Sequence, residues 1–269
     1  QARRLFDVFW SICESAASAE DAAPDEVLYG RSGLLLGLHW LREEVDLVEW
    51  DQSTHHDEAV SSLLTAIWAS GVRQTQTSQA SSTANTPPLR FSWHGKEYIG
   101  GAHGYVGIAQ ALLYHWRWLS EARRNDLQAI IQWLISLRLE NGNLPSSLSP
   151  PSSHRGPRGH LVHWCHGAPG MVLLLRTCHE VLGAPQYLHE AELWGDIVWK
   201  YGLLRKGWGL CHGVSGNGYC FLVLYQMTRS EENLRRAQFF AHWLRSDEAA
   251  SVKYRPDQPL GLYTGIAGA

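Results

Sequence analysis

The sequence predicts an all-α protein, with helical hairpins arranged in a ring behind Gly-rich turns. Three observations carry this. Strand signals are weak, while apolar residues recur at i, i+3 and i+4 spacing. Five short segments share the form G-x-x-G followed by an apolar helix. Between them lies a second, more amphipathic helix, so the repeating unit is a turn, an inner helix and an outer helix.

The helical segments, in order, are Ile12–Ala17, Ser61–Ala69, Ala109–Leu119, Arg124–Leu139, Met171–Leu182, Glu190–Tyr201, Gly218–Met227 and Glu231–Arg245. Within 124–139, Leu127, Ile130, Ile131, Leu134 and Leu137 share one face. The five turns are Gly30–Gly33, Gly104–Gly107, Gly167–Gly170, Gly213–Gly216 and Gly265–Gly268, spaced 46 to 74 residues apart. Glycine at such a turn permits positive φ and close backbone approach just before a helix starts. Helix N-termini that converge in a ring make a positive, donor-rich floor suited to anions. Two stretches carry little structure signal. Residues 73–89 are expected to be loosely held, and residues 141–160, rich in Pro and Gly, to form a long surface loop.

Composition narrows the function. Apolar residues make up 45% of the 269, enough to bury a substantial core, and most of the 13 Trp pack between helices. The formal net charge of −3, with both signs interspersed, leaves no footprint for nucleic acid. No apolar run approaches the roughly 18 residues of a spanning helix, which disfavours a membrane receptor. No signal-peptide pattern opens the chain. Five scattered Cys do not form a disulfide framework, so a reducing, cytoplasmic setting is expected, where clustered Cys serve metals or catalysis. The first residue is Gln, and 1–269 is read as one domain, truncated at its N-terminus and shortly before its C-terminus.

The chemistry concentrates in two turns. His163-Trp164-Cys165-His166-Gly167 and, 46 residues on, Leu210-Cys211-His212-Gly213 each place a Cys two residues before the first glycine. Equivalent positions on adjacent repeats face the same cavity, which sets Cys165, Cys211 and His212 side by side. Two thiolates and one imidazole are a catalytic zinc set with an open fourth position. The bland alternative, Cys as small core hydrophobes, suits Cys13, Cys178 and Cys220, which lack such a setting. His166 is a candidate fourth ligand or a group behind the ligands. His103, one residue before Gly104, is a candidate acid or base, with helix capping or packing as the alternative. Lys206, five residues before Cys211, is a candidate anion binder or an ordinary surface lysine. Arg31 and Arg255 are weaker candidates of the same kind.

On these residues the chain resembles the lanthionine synthetase C-like family. The segments HGYVG, HWCHGAPG and LCHGVSGNGY look like its motifs, and DEVLYGRSG, LLRKGWGLCHG and LYTGIAG match the eukaryotic branch. The likeness covers nearly the whole chain. It implies an α/α toroid of seven helical hairpins, of which about five are present. It implies Zn2+ on Cys165, Cys211 and His212, and proton handling by His103. In bacterial relatives zinc activates a peptide cysteine for addition to a dehydroamino acid; the eukaryotic branch binds glutathione and adds it to such residues in damaged proteins. Lys206 matches a lysine at the glutathione site, and an arginine used there falls at Tyr254, beside Arg255. Thr264 stands where relatives usually carry an acid. The expected function is therefore zinc-dependent addition of glutathione to dehydroalanine or dehydrobutyrine, with His103 and His212 catalytic and Lys206 and Arg255 binding substrate. A cytoplasmic location is implied, and peripheral membrane association is compatible with it. Two rivals stand beside this reading. One is a zinc- and glutathione-binding or signalling module without turnover. The other is a glycosidase, disfavoured because the turns carry Cys and His where that chemistry needs a carboxylate pair.

Overall fold

The computed structural model describes residues 2–18, 23–48, 51–78, 86–148, 160–251 and 258–269. Among these, regular structure is helical apart from a single isolated bridge between Trp93 and Lys96. Ten α-helices follow in order: α1 Ala2–Ser18, α2 Arg31–Glu44, α3 Ser53–Thr77, α4 Tyr105–Tyr114, α5 Glu121–Ser136, α6 Ala168–Leu182, α7 Pro185–Tyr201, α8 Val214–Thr228, α9 Glu231–Trp243 and α10 Asp247–Ser251. Short 3₁₀ turns lie at Trp116–Trp118 and Ile266–Gly268. The segment expected to be loose from residue 73 is helical as far as Thr77. There α3 stays tied to its neighbourhood, since the Thr75 hydroxyl accepts from the Arg90 amide at 2.9 Å.

The chain divides into two compact units. One comprises Gln1–Tyr98 and His103–Ser136, the other Ile99–Ala102 and Leu137–Ala269. In the first, α1 packs on α3, α2 on α4, and α4 on α5. In the second, α6 pairs with α7 and α8 with α9, while α6 and α8 pack together. The helices that follow three of the turns start deep in the core: Tyr105 to Ala109 of α4, Ala168 to Val172 of α6, and Val214, Ser215, Asn217 and Gly218 of α8 are buried.

Each of the five turns starts a helix in the same way. Gly30, Gly104, Gly167, Gly213 and Gly265 are all N-caps with φ between −109° and −154°. That is extended backbone open to any residue, so the expected positive φ is not the reason for glycine here. Close approach is. A Cβ at Gly30, Gly33, Gly167, Gly216 or Gly268 would overlap the carbonyl oxygen six residues upstream (Pro24, Val27, Leu161, Leu210 or Leu262). The chain folds back over its own helix start, and the first helical amide donates to the carbonyl seven residues upstream. The bonds are Arg31 to Pro24 (2.9 Å), Tyr105 to Tyr98 (3.2 Å), Val214 to Gly207 (3.1 Å) and Ile266 to Pro259 (2.9 Å). At α6 the buried Asn143 takes that place. Its Oδ1 accepts from the Ala168 amide at 2.8 Å and its Nδ2 donates to the Leu161 carbonyl at 3.0 Å.

Within the second unit, consecutive turns are stitched together. The Gly101 amide donates to the Trp164 carbonyl (3.1 Å) and the Cys211 amide to the Tyr263 carbonyl (2.8 Å). Asn217 of α8 donates to the carbonyls of Val162 (2.9 Å) and Gly202 (2.7 Å). This register sets the residues before Gly167 beside those before Gly213.

Candidate metal centre

The sulfurs of Cys165 and Cys211 and a ring nitrogen of His212 all lie within 4.8 Å of one another. Ligands on a tetrahedral zinc are about 3.5–3.8 Å apart, given Zn–S near 2.3 Å and Zn–N near 2.0 Å, so little movement separates this cluster from a coordinating set. Both Cys are buried, at 6% and 8% exposure, and pack with Ala102 and the partly buried Trp164. The neighbouring Cys211 thiol, then burial, push the Cys165 thiol far above its ordinary range. Two adjacent thiols resist ionising unless a cation joins them, and a soft divalent ion matches two sulfurs and an imidazole. The residues present therefore fit zinc. His166 lies outside this group of three, its ring 5.8 Å from that of His163.

His163 is the residue that motif spacing missed. Its Nδ1 lies 3.1 Å from the Cys165 sulfur, and its ring is 5.9 Å from that of His212. Burial above all, then the charges of Lys206 and the surrounding histidines, hold its pKa far below the usual imidazole range. A neutral imidazole with Nδ1 protonated donates to the sulfur, as groups behind metal ligands commonly do. The signal was present, two residues before Cys165, but chain proximity alone does not distinguish a donor from a bystander. Lys206 is half-buried, and its charge also lowers the Cys165 thiol against the two larger effects.

His103 sits in the first unit, where Nδ1 meets the Glu26 carboxylate at 2.7 Å. Glu26 is 1% exposed and also accepts from the amides of Leu28 (3.0 Å) and Tyr29. A carboxylate held this way favours the tautomer with the proton on Nδ1, an arrangement that suits a general acid or base. Nothing in the sequence announced Glu26, because its partner lies 77 residues further on. Arg31, by contrast, is an internal group. It is 1% exposed, donates to Asp25 at 2.7 Å and to the Ala16 carbonyl at 2.9 Å, and Asp25 accepts in turn from Ser70 at 2.6 Å. Arg255 and Tyr254 lie outside the described residues, and Thr264 is half-buried, its hydroxyl donating to the Gln258 carbonyl at 3.3 Å.

The class defined so far is an all-α protein of helical hairpins with a Cys–Cys–His cluster. Comparison with known proteins gives it a family. The family model described as lanthionine synthetase C-like protein matches residues 7–269, and the chain belongs to that family. It is 33% identical over 255 residues to glutathione S-transferase LANCL1 of Danio rerio, covering 94% of this chain and 59% of the relative. It is also 33% identical over 247 residues to LanC-like protein GCL1 of Arabidopsis thaliana, covering 90% and 53%. The chain thus spans rather more than half the length of these relatives. Nisin cyclase shares the fold, with a TM-score of 0.66 at 19% identity over 99% of this chain and 67% of that one. The fold class is accordingly that of the α/α toroids, as the resemblance implied. Among the described residues no helix is long and apolar enough to cross a membrane.

Proposed function

We propose that the protein adds the thiol of glutathione to dehydroalanine or dehydrobutyrine residues of peptides or proteins, with zinc held by Cys165, Cys211 and His212. The observation that carries this is the convergence of those three side chains, drawn from two turns 46 residues apart, on one spot. Support for glutathione comes from the relative named as a glutathione S-transferase, and support for a dehydroamino-acid acceptor from the cyclase that shares the fold. A zinc ion held there would supply a Lewis acid that favours the ionised form of a substrate thiol.

The chain's own residues supply the rest. Cys165 and Cys211 are themselves buried, and His163 donates to the Cys165 sulfur. Lys206 pairs with a carboxylate of glutathione, and Arg255 is assigned to the same substrate. The new bond joins sulfur to the β-carbon as the C=C π bond breaks. His103 delivers the proton that the α-carbon takes up, while Glu26 keeps Nδ1 protonated so that exchange with substrate runs through Nε2. The thiol proton lost balances the proton gained at carbon. The setting proposed is cytoplasmic, with peripheral membrane association compatible.

The test is metal content and adduct formation on a dehydroalanine peptide, with wild type beside Cys165→Ala and Cys211→Ala. About one zinc per chain and glutathione adduct in wild type, with both lost in each variant, is the expected result. Zinc and full adduct formation in Cys211→Ala overturn the proposal. Zinc without adduct in wild type turns the reading to a binding protein.

A further inference from the structure

Outside the cluster, the least expected feature is the way His103 is enclosed. The Trp93 indole stacks on its ring with centroids 4.2 Å apart and planes 18° from parallel. Tyr98 meets the ring at 5.8 Å and 57°, and Tyr29 lies parallel to it at 6.4 Å and to Trp93 at 5.9 Å. Trp93 arrives on a two-residue hairpin. The Trp93 amide donates to the Lys96 carbonyl (2.9 Å) and the Lys96 amide to the Trp93 carbonyl (3.1 Å). The tip, His94 and Gly95, has φ of 49° and 70°, which is the type I′ geometry that tight hairpins use. A histidine in the left-handed region is a mild strain, of a kind that clusters at functional sites.

This hairpin is braced at its base. Arg90 and Glu97 form a two-bond ion pair at 2.7 Å each. The Phe91 amide donates to the Tyr105 hydroxyl at 3.1 Å, and the Ser92 amide to Gln74 of α3 at 2.7 Å. A rigid base presents one aromatic face to one imidazole. Glu26 restrains that imidazole in its plane, through Nδ1. Trp93 restrains it from the face, and neither contact substitutes for the other.

We propose that Trp93 is a positioning residue, and that the 90–97 hairpin holds the His103 ring in the one orientation that delivers a proton to substrate. Stacking of a flat indole on a flat imidazole restricts rotation about the ring's attachment bond, the motion that would carry Nδ1 away from Glu26. Correct orientation of a proton donor is worth one to two orders of magnitude in rate. The proposal rests on the function given above for its kinetic consequence, but not for the positioning itself.

The experiment therefore has two readouts. The first is the imidazole nitrogen chemical shifts of His103, in wild type, Trp93→Phe and Trp93→Leu. Leucine fills apolar volume without a flat face, and equal melting temperatures establish that both variants fold. A single Nδ1–H tautomer in wild type and Trp93→Phe, with a mixture in Trp93→Leu, is expected. The second is adduct formation, where Trp93→Leu is expected to lose about ten- to a hundredfold in kcat with KM nearly unchanged, and Trp93→Phe to recover most of it. If Trp93→Leu keeps a single tautomer, or matches Trp93→Phe in kcat, the positioning role is wrong. If wild type forms no adduct at all, the proposed function fails, and the nitrogen shifts still decide whether Trp93 fixes the ring.

Discussion

At the scale of single residues, the candidate site depends on side chains that touch a reacting group's neighbour. His163 is the plainest case. Its Nδ1 is 3.1 Å from the Cys165 sulfur, and its Nε2 is buried without a hydrogen-bond partner. A buried imidazole with one orphaned nitrogen costs about 1–3 kcal/mol, and its position is understandable if the other nitrogen steadies a thiolate. His163→Ala is expected to weaken zinc binding by about 10- to 100-fold, measured by competition with a chromophoric chelator. Unchanged affinity in a folded variant means the contact does nothing for the metal. The candidate ligands were legible in the sequence because Cys165 and Cys211 repeat in register before a turn, and His212 adjoins one of them. His163, Glu26 and Trp93 were not. Their roles come from contacts made across space, and a lone His, Glu or Trp in a sequence carries no mark of what it will face.

At the scale of elements, the G-x-x-G turns were legible as helix starts, and all five became N-caps. Of the two reasons the sequence offered for these glycines, close backbone approach holds and positive φ does not. The turn glycines adopt ordinary extended angles, so their need for a missing Cβ comes from the carbonyl that folds back over the helix start. This separates two kinds of glycine by a direct test. Gly216 lies in the first turn of α8, where a methyl group would overlap the Leu210 carbonyl. Gly183 ends α6 with φ of 69° and has nothing within 4 Å of where a Cβ would stand. Gly183→Ala is expected to cost about 1 kcal/mol, the ordinary cost of a left-handed position. Gly216→Ala must displace backbone, and an overpacked site costs about 3 kcal/mol or more. Urea denaturation of the two variants checks the order, and equal costs would mean that the turn can open. Helix boundaries were less legible than helix existence. The polar end of α3, for example, reads as loop in the sequence because the partners that hold it, at Arg90 and Ser92, lie well downstream.

At the scale of the whole molecule, the two compact units carry different sensitivities. All three candidate metal ligands belong to the unit of Ile99–Ala102 and Leu137–Ala269. An ion bound only by the folded state stabilises what holds it, so its removal by chelation at neutral pH should loosen that unit alone. Acid acts on the other unit through His115, at the end of α4. His115 is 3% exposed, and burial, helped by the charges of His39, His56 and Arg117, takes its pKa down to about 4 against the raising effect of its bond to the Ala111 carbonyl. In the unfolded chain the same group titrates near 6.5. Between those values the unfolded state binds the extra proton, so stability is whole above about pH 6.5 and falls as pH drops toward 4, by about 3 kcal/mol. Hydrogen exchange followed by mass spectrometry separates the two effects. Chelation at pH 7 should speed exchange in α6 and α8 and leave α2 and α4 as they were. At pH 5, α2 and α4 should be less protected than at pH 7 after correction for intrinsic rates, and His115→Gln should flatten that dependence. Chelation that loosened α4 as much as α8 would mean that the units do not open separately. A pH dependence unchanged in His115→Gln would place the acid sensitivity on another group.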